Sequence, residues 1–211
     1  GGVTWIFAPL RIASSVWDED IQKFGINLTI SKVIGTPKQR RAALAVDADV
    51  YITNLENIPW LFEEIGTLPP ETNIVVDEIS RLKNPKSKRL KAYLKLVFGT
   101  RRRLGLTATP APQGPIDLFS QVAAIIGTQI WGTSFYKWRN EHFRAVDQRG
   151  FIFKPVVGAT KKLTAQFASV SYRVKYDLNI PSSPLVDRVT LPPKALALYK
   201  TMEKEAVVEL A

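Results

Sequence analysis

Cysteine is absent from this chain of 211 residues. A disulfide scaffold, a thiolate metal site and a cysteine nucleophile are therefore excluded, and the lack of disulfides fits a reducing compartment. Histidine occurs once, at His142. A histidine metal cluster or a Ser-His-Asp triad would have to be built around that one residue, and nothing at a suitable spacing supports either. Long apolar runs are missing too: Ala42–Val46 and Val122–Ile126 are typical of the longest, against the roughly 18 residues a membrane helix needs. There is no initiator Met and no basic leader at the N-terminus. The chain thus reads as lacking a signal peptide and as cut at its left edge. Neither an internal repeat nor a low-complexity tract is present.

Acidic residues are missing from one stretch in particular. Residues 81–103 hold ten cations (Arg81, Lys83, Lys86, Lys88, Arg89, Lys91, Lys95 and Arg101–Arg103) and no Asp or Glu. The whole chain carries 29 Lys and Arg against 19 Asp and Glu, a net +10, so this block equals the entire excess. Such a block is either a footprint for a polyanion or a helix face kept in solvent. With 45% hydrophobic and 23% charged residues, the chain has enough apolar material to fold.

Short β-branched or aromatic runs alternate with helical patterns. Strands are expected at Thr4–Ala8, Leu28–Ile34, Asp49–Thr53, Asn73–Asp77 and Arg103–Thr107. Helices are expected at Ser15–Phe24, with Trp17, Ile21 and Phe24 on one face, and at Lys38–Val46 behind the N-cap Thr36 and Pro37. Further helices are expected at Ile58–Ile65 and Ser87–Phe98. This alternation predicts an α/β fold with a mostly parallel sheet and helices on both faces. After Pro110 the texture changes. Helices are read at Ile116–Ile126 and Thr133–Phe143, a basic amphipathic stretch near Thr160–Ala168, a strand-like Ser171–Lys175, and a last helix opened by Pro192-Pro193.

Two stretches carry chemistry. Asn73–Asp77 with Glu78 puts two carboxylates at the end of a buried strand, where open α/β sheets bind ligands. An Asp there can hold magnesium, and the adjacent Glu can orient or deprotonate a water attacking a phosphate. The second stretch, Gly105-Leu106-Thr107-Ala108-Thr109-Pro110, is a strand running into hydroxyls. If the Ser87–Phe98 helix returns the chain so that the two strands are neighbours, Thr107 and Thr109 reach the rim of Asp77 and Glu78.

In order, Ala8-Pro9-Leu10, Thr53-Asn54-Leu55-Glu56, Asp77-Glu78-Ile79-Ser80 with Leu82-Lys83-Asn84, and Gly105–Pro110 resemble the motif series of superfamily-two helicases. The Leu-Lys-Asn continuation followed by Ser87-Lys88 looks most like Swi/Snf-type DNA translocases in their compact phage form. The resemblance covers nearly the whole chain, including Asp117-Leu118-Phe119 after the Thr-Ala-Thr-Pro motif and the stretch from Leu191 to Tyr199. The resemblance implies a RecA-like (P-loop NTPase) first lobe over residues 1–127, a smaller helical or mixed subdomain over 128–190, and a helix at 191–211 leading toward a second RecA-like lobe. It implies ATP and magnesium as cofactors, with Asp77 coordinating the metal and Glu78 as catalytic base. Thr107 and Thr109 would couple ATP state to nucleic-acid grip. Pro9, Leu10, Arg11, Thr53 and Asn54 would touch the backbone of the nucleic acid, most simply double-stranded DNA, in the cytoplasm of a bacterial host.

One departure matters. No Gly-Lys pair occurs anywhere, so the G-x-x-x-x-G-K-[ST] loop that holds the β- and γ-phosphates is not in this chain. The expectation is that these 211 residues alone bind ATP poorly and turn over none. A non-catalytic nucleic-acid-binding or assembly module on the same fold is the alternative. Ile79-Ser80 also departs from the usual family ending in His. Lastly, Phe135, Tyr136, Trp138, His142 and Phe143 interleave with Lys137, Arg139 and Arg144, as single-strand binding surfaces do. Their helical spacing favours the packed face of a subdomain instead.

Overall fold

The computed structural model describes residues 2–174 and 190–205. Contacts group the chain into one unit, Gly1–Tyr172, and a second, Arg173–Ala211.

The first unit is built on five parallel strands in the order β2-β3-β1-β4-β5. They are β1 (Thr4–Ala8), β2 (Ile30–Lys32), β3 (Val50–Asn54), β4 (Asn73–Asp77) and β5 (Arg102–Leu106). Parallel strands need crossovers, supplied here by α1 (Trp17–Lys23), α2 (Pro37–Leu44), α3 (Ile58–Ile65) and α4 (Lys88–Leu96), with α5 (Leu118–Ile126) following β5. The crossovers begin where local chemistry starts a helix. Thr36 accepts from the Gln39 amide while Gln39 reaches back to the Thr36 amide, a reciprocal cap with Pro37 at the first helical position. Ser87 caps α4 by accepting from Leu90 N.

Alternation along the strands divides the core into two. Trp5, Phe7, Ile74 and Val76 pack under Ile58 and Leu61 of α3 and Leu90, Tyr93 and Leu96 of α4. On the opposite face Ile6, Ala8, Val50 and Ile52 pack with Ala13, Ile12 and Trp17. The α/β sheet with helices on both faces is therefore present. Coverage of the second face stops short of β5, however. Leu104 and Leu106, in register with Val75 and Asp77, remain 53% and 36% exposed, and among the described residues β5 pairs only with β4.

On its covered face β5 is tightly packed. A Cβ at Gly105 would stand 2.6 Å from Ile79 Cδ1 and 3.1 Å from Ile125 Cδ1. Gly105→Val is accordingly expected to destabilise the chain by about 1–3 kcal/mol through overpacking, read as a lower urea midpoint. An unchanged midpoint would show that Ile79 and Ile125 give way freely.

Beyond β5, α6 (Phe135–His142), the antiparallel pair β6 (Phe143–Ala145) and β7 (Phe153–Pro155), and α7 (Ala159–Ala168) surround a small core. Phe119, Trp138, Phe143 and Leu163 are its buried members, with Trp131, Phe135 and Phe153 packed against them. The aromatic cluster is thus core, as its helical spacing predicted, although Tyr136 is 48% exposed. In the second unit, α8 spans Pro193–Glu205.

Several expectations need correcting. The first helix begins earlier than Ser15, with a wide turn over Ile12–Val16, and Phe24 lies past its end, 73% exposed. The edge strand β2 is three residues long rather than seven. Ser171–Val174 form no strand, and Lys175 lies outside the described residues, as does Ala206 of the last helix. No helix among the described residues is long and apolar enough to cross a membrane.

Candidate functional site

The parallel sheet brings four motif ends to one edge. Ala8 is in register with Asn54, and Phe7 with Val76, so Pro9–Arg11, Thr53-Asn54 and Asp77-Glu78 leave adjacent strands on the same rim. β5 delivers Thr107 beside them, because Leu106 is in register with Asp77.

Glu78 is the centre of this rim. Its Oε2 accepts from Thr107 Oγ1 and from Ser80 Oγ, each at 3.3 Å. Its backbone is left-handed, with φ 54° and ψ 54°, the one positive φ outside glycine among the described residues. That conformation costs an ordinary residue on the order of 1–3 kcal/mol and gathers at functional sites. Here it turns the chain sharply off β4, so that consecutive carboxylates take different surroundings. Asp77 Oδ2 accepts from Trp17 Nε1 at 3.3 Å, while Glu78 takes the two hydroxyls.

The hydroxyl loop is organised through Thr107, whose Oγ1 also accepts from Thr109 N at 3.2 Å. The Thr109 side chain is exposed, so Thr109 joins the rim through its backbone. Leu10 and Arg11 are exposed and Pro9 is half-buried. Thr53 and Asn54, by contrast, are 0% and 7% exposed. Thr53 donates its hydroxyl to Val33 O at 2.7 Å, and Asn54 holds Asn57 and Glu56. These two side chains build the rim and present little of themselves to a large partner.

The basic block proves to be partly architectural. Glu56 accepts from Asn54 Nδ2 at 3.0 Å, Arg81 at 3.1 Å and Arg89 at 3.2 Å. Burial would raise its carboxyl pKa, but the Asn54 hydrogen bond and the charges of Arg81 and Arg89 outweigh burial and hold it below the ordinary value. Arg103 donates to Val97 O at 2.7 Å and Thr100 Oγ1 at 2.9 Å, closing the end of α4. Lys83 pairs with Asp117 at 3.3 Å.

For magnesium the donor chemistry fits in part. Asp77 and Glu78 offer hard oxygen ligands, but no group of three or more His, Cys, Asp or Glu forms among the described residues. One or two carboxylates suit an ion that takes its remaining ligands from phosphate and water.

Motif reading found the rim and missed what braces it. Trp17 had no signal beyond its place on a helix face, and Gln121, which donates to Pro110 O at 2.6 Å, had none.

Comparison with known proteins agrees with this geometry. The chain is 30% identical to the protein p41 of Acyrthosiphon pisum secondary endosymbiont phage 1, an alignment covering 98% of this chain and 48% of that protein. Its fold matches the Sulfolobus solfataricus SWI2/SNF2 ATPase core, solved in complex with dsDNA, with a TM-score of 0.62 and 22% identity over 99% of this chain and 44% of that one. The chain therefore spans about half the length of either. The model of the SNF2-related domain matches residues 3–183, and the chain belongs to that family.

Proposed function

We propose that this chain forms most of the first RecA-like lobe of an ATP-dependent motor that moves on double-stranded DNA. The observation that carries the reading is the Glu78 carboxylate held by Thr107 across neighbouring parallel strands. It makes one unit of a base and a sensing hydroxyl. In the complete protein Glu78 would orient and deprotonate the attacking water, and Asp77, whose Oδ2 accepts from Trp17, would hold the magnesium of the nucleotide. Bound magnesium–ATP supplies the phosphoryl group and a cation that neutralises its developing charge. Thr107 registers changes at Glu78 and passes them through the Thr109 amide to the loop behind. Residues 128–190 act as an accessory subdomain, and 191–211 continue toward a second lobe.

A phosphate-holding loop has to face Glu78 for this chemistry. The edge of β5 that is unpaired among the described residues, with Leu104 and Leu106 exposed before Thr107, offers a strand and its helix a place to deliver one. The 211 residues alone are then expected to show no ATP turnover.

Leu10 and Arg11, exposed where β1 ends, are the side chains best placed to meet a phosphate backbone. In the protein as encoded in full, duplex DNA is expected to stimulate ATP turnover more than single strands or RNA do. Arg11→Ala should weaken DNA binding across sequences and reduce the salt slope of log affinity by about one. No stimulation by any nucleic acid would sink the motor reading; an unchanged salt slope would remove Arg11 from the contact.

A further inference from the structure

Only Ala108 and Thr109 separate Thr107 from Pro110, yet the two ends of this loop are held by different elements. Thr107 is fixed by β5 and by Glu78. Pro110 is fixed from α5, where Gln121, 3% exposed, donates Nε2 to Pro110 O at 2.6 Å and to Asp117 O at 2.8 Å. Asp117 is itself 6% exposed. Its Oδ2 accepts from Gln113 N at 2.9 Å and from Lys83 Nζ at 3.3 Å. Lys83 follows Glu78 after a single tight turn, Ile79–Leu82. The bonds therefore close a ring: Glu78, Thr107, Pro110, Gln121, Asp117, Lys83 and back along the chain to Glu78.

A carboxylate this buried is costly unless paired and hydrogen-bonded, so Asp117 fixes the start of α5 against the turn that follows Glu78. Gln121, one helical turn further on, carries that placement to the hydroxyl loop. We propose that Gln121 and the Lys83–Asp117 pair are positioning residues that hold Thr107–Pro110 in register with Glu78, so that a change at Glu78 is delivered to α5 instead of being lost in a slack loop. This rests on the motor reading for what the change at Glu78 is, whereas the ring itself belongs to this chain.

Two measurements test it. In the 211-residue chain, Gln121→Met keeps side-chain length and removes the donor. Amide exchange at Thr109 and Gln113 is expected to rise at least tenfold, with β1 and β4 amides unchanged. Lys83→Met, at a side chain 32% exposed, serves the same readout if Gln121→Met does not fold. Exchange within twofold of the parent at both amides, in either folded variant, overturns the proposal. In the complete protein, Gln121→Met is expected to lower the ratio of DNA-stimulated to unstimulated ATP turnover at least fivefold. Loss of folded protein alone lowers both rates together, and an unchanged ratio also overturns the positioning role. If the parent protein hydrolyses no ATP, the motor reading falls and the exchange result alone decides whether Gln121 and the Lys83–Asp117 pair position the loop.

Discussion

Glu78→Gln is expected to lower ATP turnover of the complete protein by about 100- to 10,000-fold, the usual contribution of a general base. The substitution is nearly isosteric. Its amide oxygen still accepts from Thr107 and Ser80, which stand 3.3 Å away in the parent, so the strand-end geometry survives and only the proton-accepting charge is lost. The left-handed backbone at residue 78 is no harder for Gln to adopt than for Glu, and the melting temperature should hardly move. Nucleotide binding should persist, because on the proposed motor reading a separate loop holds the phosphates. A variant that retains more than a tenth of parental turnover would remove Glu78 from the role of base and leave Asp77 as the remaining chemical group on this rim.

The second large effect concerns folding. Trp138→Ala is expected to cost about 3–5 kcal/mol, the range for deleting a buried aromatic, read from denaturant midpoints of the 211-residue chain. Trp138 is 3% exposed and lies 5.0–5.4 Å, centroid to centroid, from Phe119, Trp131 and Phe143. Few other side chains fill this small core, so little can collapse into the space. Trp138 Nε1 is buried with no hydrogen-bond partner among the described residues, which makes Trp138→Phe the informative control. It keeps most of the packing and removes an unsatisfied donor, so it should cost far less than alanine. If Trp138→Ala stayed within about 0.5 kcal/mol of the parent, as surface changes do, the aromatic cluster would instead be a surface for stacking bases.

The expectations that held rest on strong local signals. Asn73–Asp77 and Ile58–Ile65 match residue for residue, the first bounded by an acid and the second opened by a proline. Thr36-Pro37 marked α2 because capping chemistry is written in adjacent residues. The helix expected from Ser15 starts earlier for a physical reason: Ser14 donates to Leu10 O at 2.7 Å, four residues back, and the chain is already wound in a wide turn over Ile12–Val16. Strands β6 and β7 are three residues each, too short to show alternation. At the site, Glu78 and Thr107 were legible together because the β4–α4–β5 crossover lands its second strand beside its first, whereas the β1–β2 and β3–β4 crossovers each skip a strand. Trp17 to Asp77, Lys83 to Asp117 and Arg89 to Glu56 join residues 60, 34 and 33 apart. No periodicity encodes such pairs. The ten-cation block shows the same limit: charge was countable, but that Glu56, Asp117 and the end of α4 consume four of those cations was not.

The outer edge of β5 also bears on how these 211 residues behave as a solute. A strand whose amides and carbonyls on one edge are unpaired among the described residues, with exposed leucines on one face, can template another copy of itself. Arg101 and Arg102, both exposed where the strand begins, set like charges against each other when two such edges approach. That repulsion acts over roughly 10 Å at 0.1 M salt and shrinks as salt is added. Dilute, low-salt solution is therefore expected to favour the monomer, while concentration and salt together are expected to favour edge-to-edge pairing of two copies. The arginines at the start of β5, at the opposite end of the strand from the hydroxyl loop, would thus act as guards against self-association.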